Sequence, residues 1–71
     1  MKDNILIAFG DRVREIRKMK TLTQEEVSEI TGFHRTYIGM VERGERNPSL
    51  KNIEVFAKAF GMTVSELLKN C

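Results

Sequence analysis

The fold of this chain is decided by residues 22–44, which read LTQEEVSEITGFHRTYIGMVERG. Thr23 precedes Glu26 by three positions, the spacing at which a hydroxyl and a carboxylate cap a helix start by bonding each other's backbone amides. Gly32 can adopt the positive φ that ends a helix, because it has no Cβ. These residues therefore predict a short helix over about Gln24–Thr31.

A second short helix is expected directly after the glycine, over about His34–Arg43. Two short helices joined through a glycine can cross steeply when small and apolar residues line their contact, which is the helix-turn-helix arrangement. Counted from Gln24, the stretch has an apolar residue fourth, a small residue fifth, glycine ninth and apolar residues fifteenth and eighteenth, namely Val27, Ser28, Gly32, Ile38 and Val41. Each residue alone would suit ordinary helix packing, but the joint pattern predicts a helix-turn-helix.

The flanking sequence predicts three more helices and no strand. The first runs over about residues 4–19, the fourth starts after Pro48 with Ser49 as its cap and stops at Gly61, and the fifth is capped by Thr63. The apolar residues expected to share a helix face or a buried edge are Ile5, Phe9, Val13 and Ile16 in the first helix, Val27 and Ile30 in the second, Leu50, Ile53, Ala57 and Phe60 in the fourth, and Val64, Leu67 and Leu68 in the fifth. The predicted fold class is all-α, a compact five-helix domain over residues 1–71.

Composition excludes several classes of protein. The 71 residues are 41% hydrophobic and 31% charged, as in a folded globular chain, and no run approaches the roughly 20 apolar residues of a membrane span. One cysteine, Cys71, and one histidine cannot form an internal disulfide or a structural zinc site, and they offer no catalytic constellation. We therefore expect a cytoplasmic protein that has no metal or cofactor and is not an enzyme. Because so small a core supplies little stability, we also expect a homodimer.

The net charge of +2 hides an uneven distribution. Residues 34–51 carry four basic and two acidic side chains, whereas residues 21–33 carry three acidic side chains and no basic one. A local basic surface on the second helix of the pair is therefore compatible with the composition, although the acidic block masks it in the sum.

Three stretches of the chain resemble the Cro/repressor (XRE-type) helix-turn-helix family, and the similarity extends from about Phe9 to Leu68. They are LTQEEV at 22–27, YIGMVERGERNPSL at 37–50 and AKAFG at 57–61. HRTYI at 34–38, joined to ERGERN at 42–47, is most similar to the controller proteins of restriction-modification systems. The resemblance implies a transcriptional regulator that binds a (pseudo)palindromic DNA operator as a homodimer, with RNA polymerase as a candidate further partner and no small-molecule ligand or membrane. The alternative is an antitoxin-type or phage-repressor-type regulator that acts partly through a protein partner.

The resemblance also implies which residues contact DNA. The second helix of the pair would enter the major groove, where Arg35 can donate to guanine N7 and O6 and Thr36 can offer its hydroxyl or methyl group. Gln24 matches a phosphate-binding position at the start of the first helix. The full implied set is Thr23, Gln24, His34, Arg35, Thr36, Tyr37, Met40, Arg43, Arg46 and Asn47.

Several members of that set have a structural alternative of similar weight. His34 could cap its helix, Tyr37 could be partly buried, and Met40 could fill a gap in the core. Arg43 and Arg46 match the backbone-contacting loop of the family, and Arg46 is the better candidate for a phosphate or a narrow minor groove. Gly39 stands where the family usually has a larger polar residue, so one base contact is expected to be missing.

Two further groups of residues have expected structural roles. In the family, the glutamate at the position of Glu42 pairs with a first-helix arginine, which Arg17 matches, so the two are expected to form a structural ion pair. The C-terminal region holds more apolar side chains than one small core needs. Some are expected to close the monomer and the rest to form the dimer face: Phe56, Phe60, Met62, Val64, Leu67 and Leu68.

Overall fold

The described part of the chain forms five helices that pack around a small aromatic core. The structure, a computed structural model, describes residues 4–71, so the first three residues of the predicted domain lie outside the described range. The helices are α1 (Asn4–Met19), α2 (Gln24–Thr31), α3 (Arg35–Glu42), α4 (Leu50–Ala59) and α5 (Val64–Leu67), with no strand in the described range. α1 packs on α3, α2 on α3 and α4, and α4 on α5. The all-α prediction is confirmed, and α2 and α3 are the two helices of the helix-turn-helix.

The predicted caps fix the ends of the two short helices. The Thr23 hydroxyl accepts from the Glu26 amide at 3.0 Å, and the Glu26 carboxylate accepts from the Thr23 amide at 2.9 Å. Gly32 ends α2 with a φ of +82°. α3 is one residue shorter at each end than predicted, because His34 and Arg43 serve as its caps.

The core is built around the ring of Phe56. The rings of Phe9, Phe33 and Phe60 lie 6.2, 5.3 and 6.4 Å from it, so α1, the turn before α3 and the end of α4 meet at one aromatic cluster. Burial of such side chains is the main favourable contribution to folding. The buried hydrophobic residues of the described range are Phe9, Val13, Ile16, Val27, Ile38, Val41, Phe56, Ala57, Phe60 and Leu67.

Three residues expected on the inward face or edge of a helix are exposed instead. Ile5, Ile30 and Leu50 keep 57%, 54% and 74% of their surface accessible. All three stand within two residues of a helix end. Apolar spacing identifies the inward face of a helix but not how far along its length the core extends, which is why the prediction was wrong here.

The predicted dimer face needs a similar correction. Phe56, Phe60 and Leu67 are almost completely enclosed by the chain's own core, which leaves them no surface to bury against a second copy. Met62, Val64 and Leu68 are half-buried against that core. The three enclosed residues therefore belong to the monomer.

A close approach between α1 and α3, for which the sequence alone carries no signal, sets the position of α3. A Cβ atom on Gly10 would lie 2.4 Å from the carbonyl oxygen of Val41 and 2.6 Å from that of Glu42. Those distances are shorter than any contact a side chain tolerates, so only glycine fits between these two helices.

Candidate DNA-binding surface

The start of α3 projects polar side chains into solvent. His34 caps the helix, because its Nδ1 accepts a hydrogen bond from the Thr36 amide at 3.0 Å. Arg35 and Thr36 follow it directly, and both are exposed. The structure thus places the two predicted base-reading residues at the exposed start of the second helix, while His34 has the capping role that was its alternative.

These residues share a shallow surface depression with the start of α2. The depression is open to solvent, and we call it the polar depression; it is lined by Gln24, Arg35, Thr36, Gly39 and Arg43. The lining supplies two guanidinium groups, one hydroxyl and one amide, and it contains no carboxylate. Hydrogen-bond donors of this kind match the acceptor-rich base edges and phosphates of DNA.

A buried carboxylate lies beneath the surface and joins the first three helices. Glu42 is only 1% exposed, and its Oε2 accepts from Arg17 Nε at 2.6 Å while its Oε1 accepts from Arg17 Nη2 at 3.1 Å. The predicted ion pair is therefore confirmed. Arg14 and Gln24 also donate to Oε1, at 3.4 and 3.1 Å, and Arg17 also donates to the Leu22 carbonyl at 2.9 Å. A buried charge is tolerated when it is paired and hydrogen-bonded in this way.

The surroundings of Glu42 keep its carboxyl group ionised. Burial raises its pKa, but the hydrogen bonds from Arg17, Gln24 and Arg14, together with the charge of Arg17, outweigh burial and hold the pKa below its usual value. The same hydrogen bond raises the pKa of Arg17. Both charges of the pair are therefore present at neutral pH.

The contact with Glu42 changes the expectation for the side chain of Gln24. Its amide nitrogen already donates to Glu42. The backbone amides at the start of α2, where a helix presents unpaired donors, are the other candidate for the predicted phosphate contact. Sequence reasoning could not assign the side chain to Glu42, because the two residues are 18 positions apart and only the packing of α2 on α3 brings them together.

Tyr37 and Arg46 form a second group, outside the lining of the polar depression. Tyr37 is half-buried, with its ring edge-on to Phe33 at 5.1 Å and its hydroxyl accepting from Asn52 Nδ2 at 3.1 Å. The guanidinium of Arg46 lies over the Tyr37 ring, 5.6 Å from its centre. Partial burial, the alternative for Tyr37, is what the structure shows.

The remaining predicted contact residues differ in exposure. Arg46 and Asn47 are exposed in the segment after α3, and Met40 is half-buried. Thr23 is exposed and its hydroxyl is used in the α2 cap. No helix within residues 4–71 is long and apolar enough to cross a membrane, and no cluster of His, Cys, Asp or Glu in that range could hold a metal ion.

Two short helices joined by a glycine turn, with a cationic surface at the start of the second, define the helix-turn-helix class of proteins. The chain belongs to the helix-turn-helix family, whose model matches residues 13–67. Within that family it is similar to control proteins. It is 46% identical to the control protein C.BamHI of Bacillus amyloliquefaciens, over 96% of this chain and 85% of the relative.

Solved structures show the same similarity. The restriction-modification controller protein C.AhdI from Aeromonas hydrophila superposes with a TM-score of 0.84 at 47% identity, over 87% of this chain and 94% of that one. The controller protein C.Esp1396I, solved as a tetramer in complex with its natural 35 base-pair operator, superposes with a TM-score of 0.86 at 28% identity, over 96% and 93% of the two chains.

Proposed function

We propose that this chain is the controller protein of a restriction-modification system, a transcriptional regulator that binds a (pseudo)palindromic operator as a homodimer. The observation that supports it is the polar depression, where Arg35 and Thr36 stand exposed at the start of α3 and face no carboxylate in the lining. The similarity to C.BamHI, named a control protein, and to C.AhdI, named a restriction-modification controller protein, supports the particular class of regulator. The function is one of binding and not of catalysis, and a DNA operator as partner implies a cytoplasmic protein.

The proposed contacts divide between bases and backbone. Arg35 would donate to a guanine and Thr36 would contact a neighbouring base, with Met40 close to a thymine methyl. The phosphate and sugar contacts would fix the orientation of the protein without reading sequence. We assign them to Thr23, the backbone of Gln24, His34, Arg46 and Asn47. RNA polymerase becomes a further partner where the operator adjoins a promoter.

Two measurements test the proposal. The first selects bound sequences from random duplex DNA, and the second measures the affinity for the selected DNA at several salt concentrations. The chain should enrich one sequence family from a random duplex pool, and the logarithm of its affinity should fall with the logarithm of salt by about 0.9 per phosphate neutralised. Failure to enrich any sequence, or an affinity that ignores salt, would overturn the proposal and favour a regulator that acts through a protein partner.

The dimer surface proposed here is an apolar patch between α4 and α5. Leu50 is 74% exposed and borders a depression shared with Val64, Lys51 and Glu54. We infer that a second copy covers it, because Lys51 and Glu54 both border the depression, so a two-fold arrangement can set Lys51 of each copy against Glu54 of the other. The patch combines an apolar centre with a charged rim that is complementary to itself, as interfaces commonly do.

Replacing Leu50 with lysine is expected to separate the dimer into monomers. The substitution places two like charges at the centre of the proposed interface, whereas the exposed side chain has little to do with the core of the monomer. Analytical ultracentrifugation at micromolar concentration should give twice the 8.2 kDa chain mass for the unmodified protein and the single chain mass for Leu50→Lys.

Met19→Lys is the matched control, because Met19 is 75% exposed at the end of α1 and lies outside the patch. It should sediment as the unmodified protein does. A dimer that persists in Leu50→Lys, or an unmodified protein that sediments only as a monomer, would contradict the proposed surface.

A further inference from the structure

Arg43 caps the end of α3, at the boundary between the helix and the loop that follows it. Its side chain lines the polar depression. A Cβ atom built on Gly39 would be 3.1 Å from Arg43 Nη1, and 3.7 Å from Gln24 Oε1. The guanidinium of Arg43 therefore occupies the space that a side chain at position 39 would fill. The absence of a side chain at Gly39 is what makes room for it.

Glu45 holds that guanidinium in place. Its Oε2 accepts from Arg43 Nε at 3.0 Å and its Oε1 from Arg43 Nη2 at 3.2 Å, a two-point contact that fixes the plane of the group. The contact uses Nε and Nη2, so Nη1 is the nitrogen that lies over Gly39, next to Arg35 and Thr36 in the lining of the depression. An exposed pair of this kind contributes little to stability, so positioning is its stronger consequence.

The pairing of Arg43 with Glu45 favours a contact from Arg43 to a base over a contact to a phosphate. Phosphate binding depends on net positive charge and is weakened when a carboxylate neutralises the cation. A hydrogen bond from a fixed N–H group to a base edge depends on direction and survives that neutralisation. Glu45 therefore disfavours Arg43 as a phosphate ligand and leaves Nη1 as an oriented donor.

We propose that Arg43 is a specificity-determining residue, which donates through Nη1 to a guanine edge in the major groove, with Glu45 as its positioning residue and Gly39 as the gap that admits it. The proposal rests on the proposed operator-binding function and supplies the base contact that Gly39 itself cannot make. This proposed role differs from the backbone contact that the family resemblance implies for Arg43.

The test compares base preferences of Arg43→Lys with those of the unmodified protein. Operators selected by the unmodified protein would be changed one base pair at a time, and each affinity measured at fixed salt. Lysine keeps the charge but cannot form the fork with Glu45, so Arg43→Lys should lose a preference of about 5-fold at one base pair of each half-site, the lower end of the range for a two-point arginine–guanine contact, because Nη1 alone donates. The salt dependence should stay the same, since the charge stays.

Glu45→Gln and Gly39→Ala test the positioning. Both should weaken the preference at that same base pair, the first because the two-point contact is lost and the second because the new Cβ displaces Nη1. Glu15→Gln is the matched control: it removes the same charge from another exposed pair, with Arg12 on α1, and should leave every base preference unchanged. Circular dichroism would establish that each variant is folded.

The outcomes separate the two proposals. If the unmodified protein selects no sequence, the operator-binding function fails and this inference fails with it. If it selects an operator and Arg43→Lys keeps every base preference, Arg43 does not read a base and only this inference is overturned. A loss of preference in Glu15→Gln equal to that in Glu45→Gln would likewise overturn the positioning role.

Discussion

Replacing Glu42 with alanine is expected to destabilise the folded chain by about 3–5 kcal/mol. The substitution removes the acceptor of Arg17, Arg14 and Gln24 together and leaves the largely buried Arg17 side chain without its carboxylate. Since a small domain has roughly 5–15 kcal/mol of stability in total, a large fraction of that stability would be lost. Urea unfolding followed by circular dichroism measures the difference.

Glu15→Ala is the control for this prediction. It also removes a glutamate from an arginine, but Glu15 is exposed and its ion pair with Arg12 lies on the helix surface. The expected cost is below about 1 kcal/mol. Equal stability losses in the two variants would mean that the buried position of Glu42 adds nothing to the strength of its interactions.

The contribution of Glu42 is also expected to depend on pH. Because its pKa is lower in the folded chain than the ordinary value of 4.5, its contribution is complete above that value and is lost as the pH falls through the folded pKa. The Glu42→Gln variant has no titratable group at this position. The stability advantage of the unmodified protein over Glu42→Gln should therefore shrink as the medium is acidified below 4.5. An advantage that is constant across that range would contradict the lowered pKa.

Replacing Arg35 with alanine is expected to abolish discrimination at one base pair of each half-site. A two-point contact between arginine and guanine contributes about 1–3 kcal/mol, and a dimer on a two-fold operator would lose it twice, about 2–6 kcal/mol in all. The loss should be confined to operators that carry the guanine, so Arg35→Ala and the unmodified protein should bind the base-changed operator almost equally. Competition binding with the two operators measures this.

Arg46→Ala provides the contrast. Arg46 is exposed over the Tyr37 ring beyond α3, where its charge would reach the DNA backbone. Its loss should weaken binding to every sequence by a similar factor and reduce the salt slope by about 1 for each contact removed. If both variants weakened binding to all sequences alike, the division between a base-reading and a backbone-binding arginine would be wrong.

Most of the helical framework could be predicted from local sequence. The Thr23 and Thr63 capping boxes and the Gly32 stop depend on residues within one turn of each other, so their pattern is readable directly. The errors at Ile30 and Leu50 came from extending a helical period past the edge of the core. The same limit explains why Phe56 and Leu67 stood among the candidates for the dimer face: apolar composition does not say which side chains a single core encloses.

The candidate site, like the helical framework, was predictable in part. Its position at the start of α3 followed from the helix-turn-helix pattern, and the Arg17–Glu42 pair followed from the family resemblance. The fit of Gly10 against α3 and the donation from Gln24 to Glu42 had no sequence signal, because each depends on two segments meeting in space.

By itself, then, the sequence determined the approximate ends of the helices and which of them carries the candidate recognition surface, because caps and apolar periods act over a few residues. Only the tertiary structure decided which polar groups that surface offers. It committed the Gln24 side chain to Glu42 and laid Arg43 across Gly39. The physical reason is that the partners of a polar side chain are set by the packing of neighbouring helices and by the space that packing leaves.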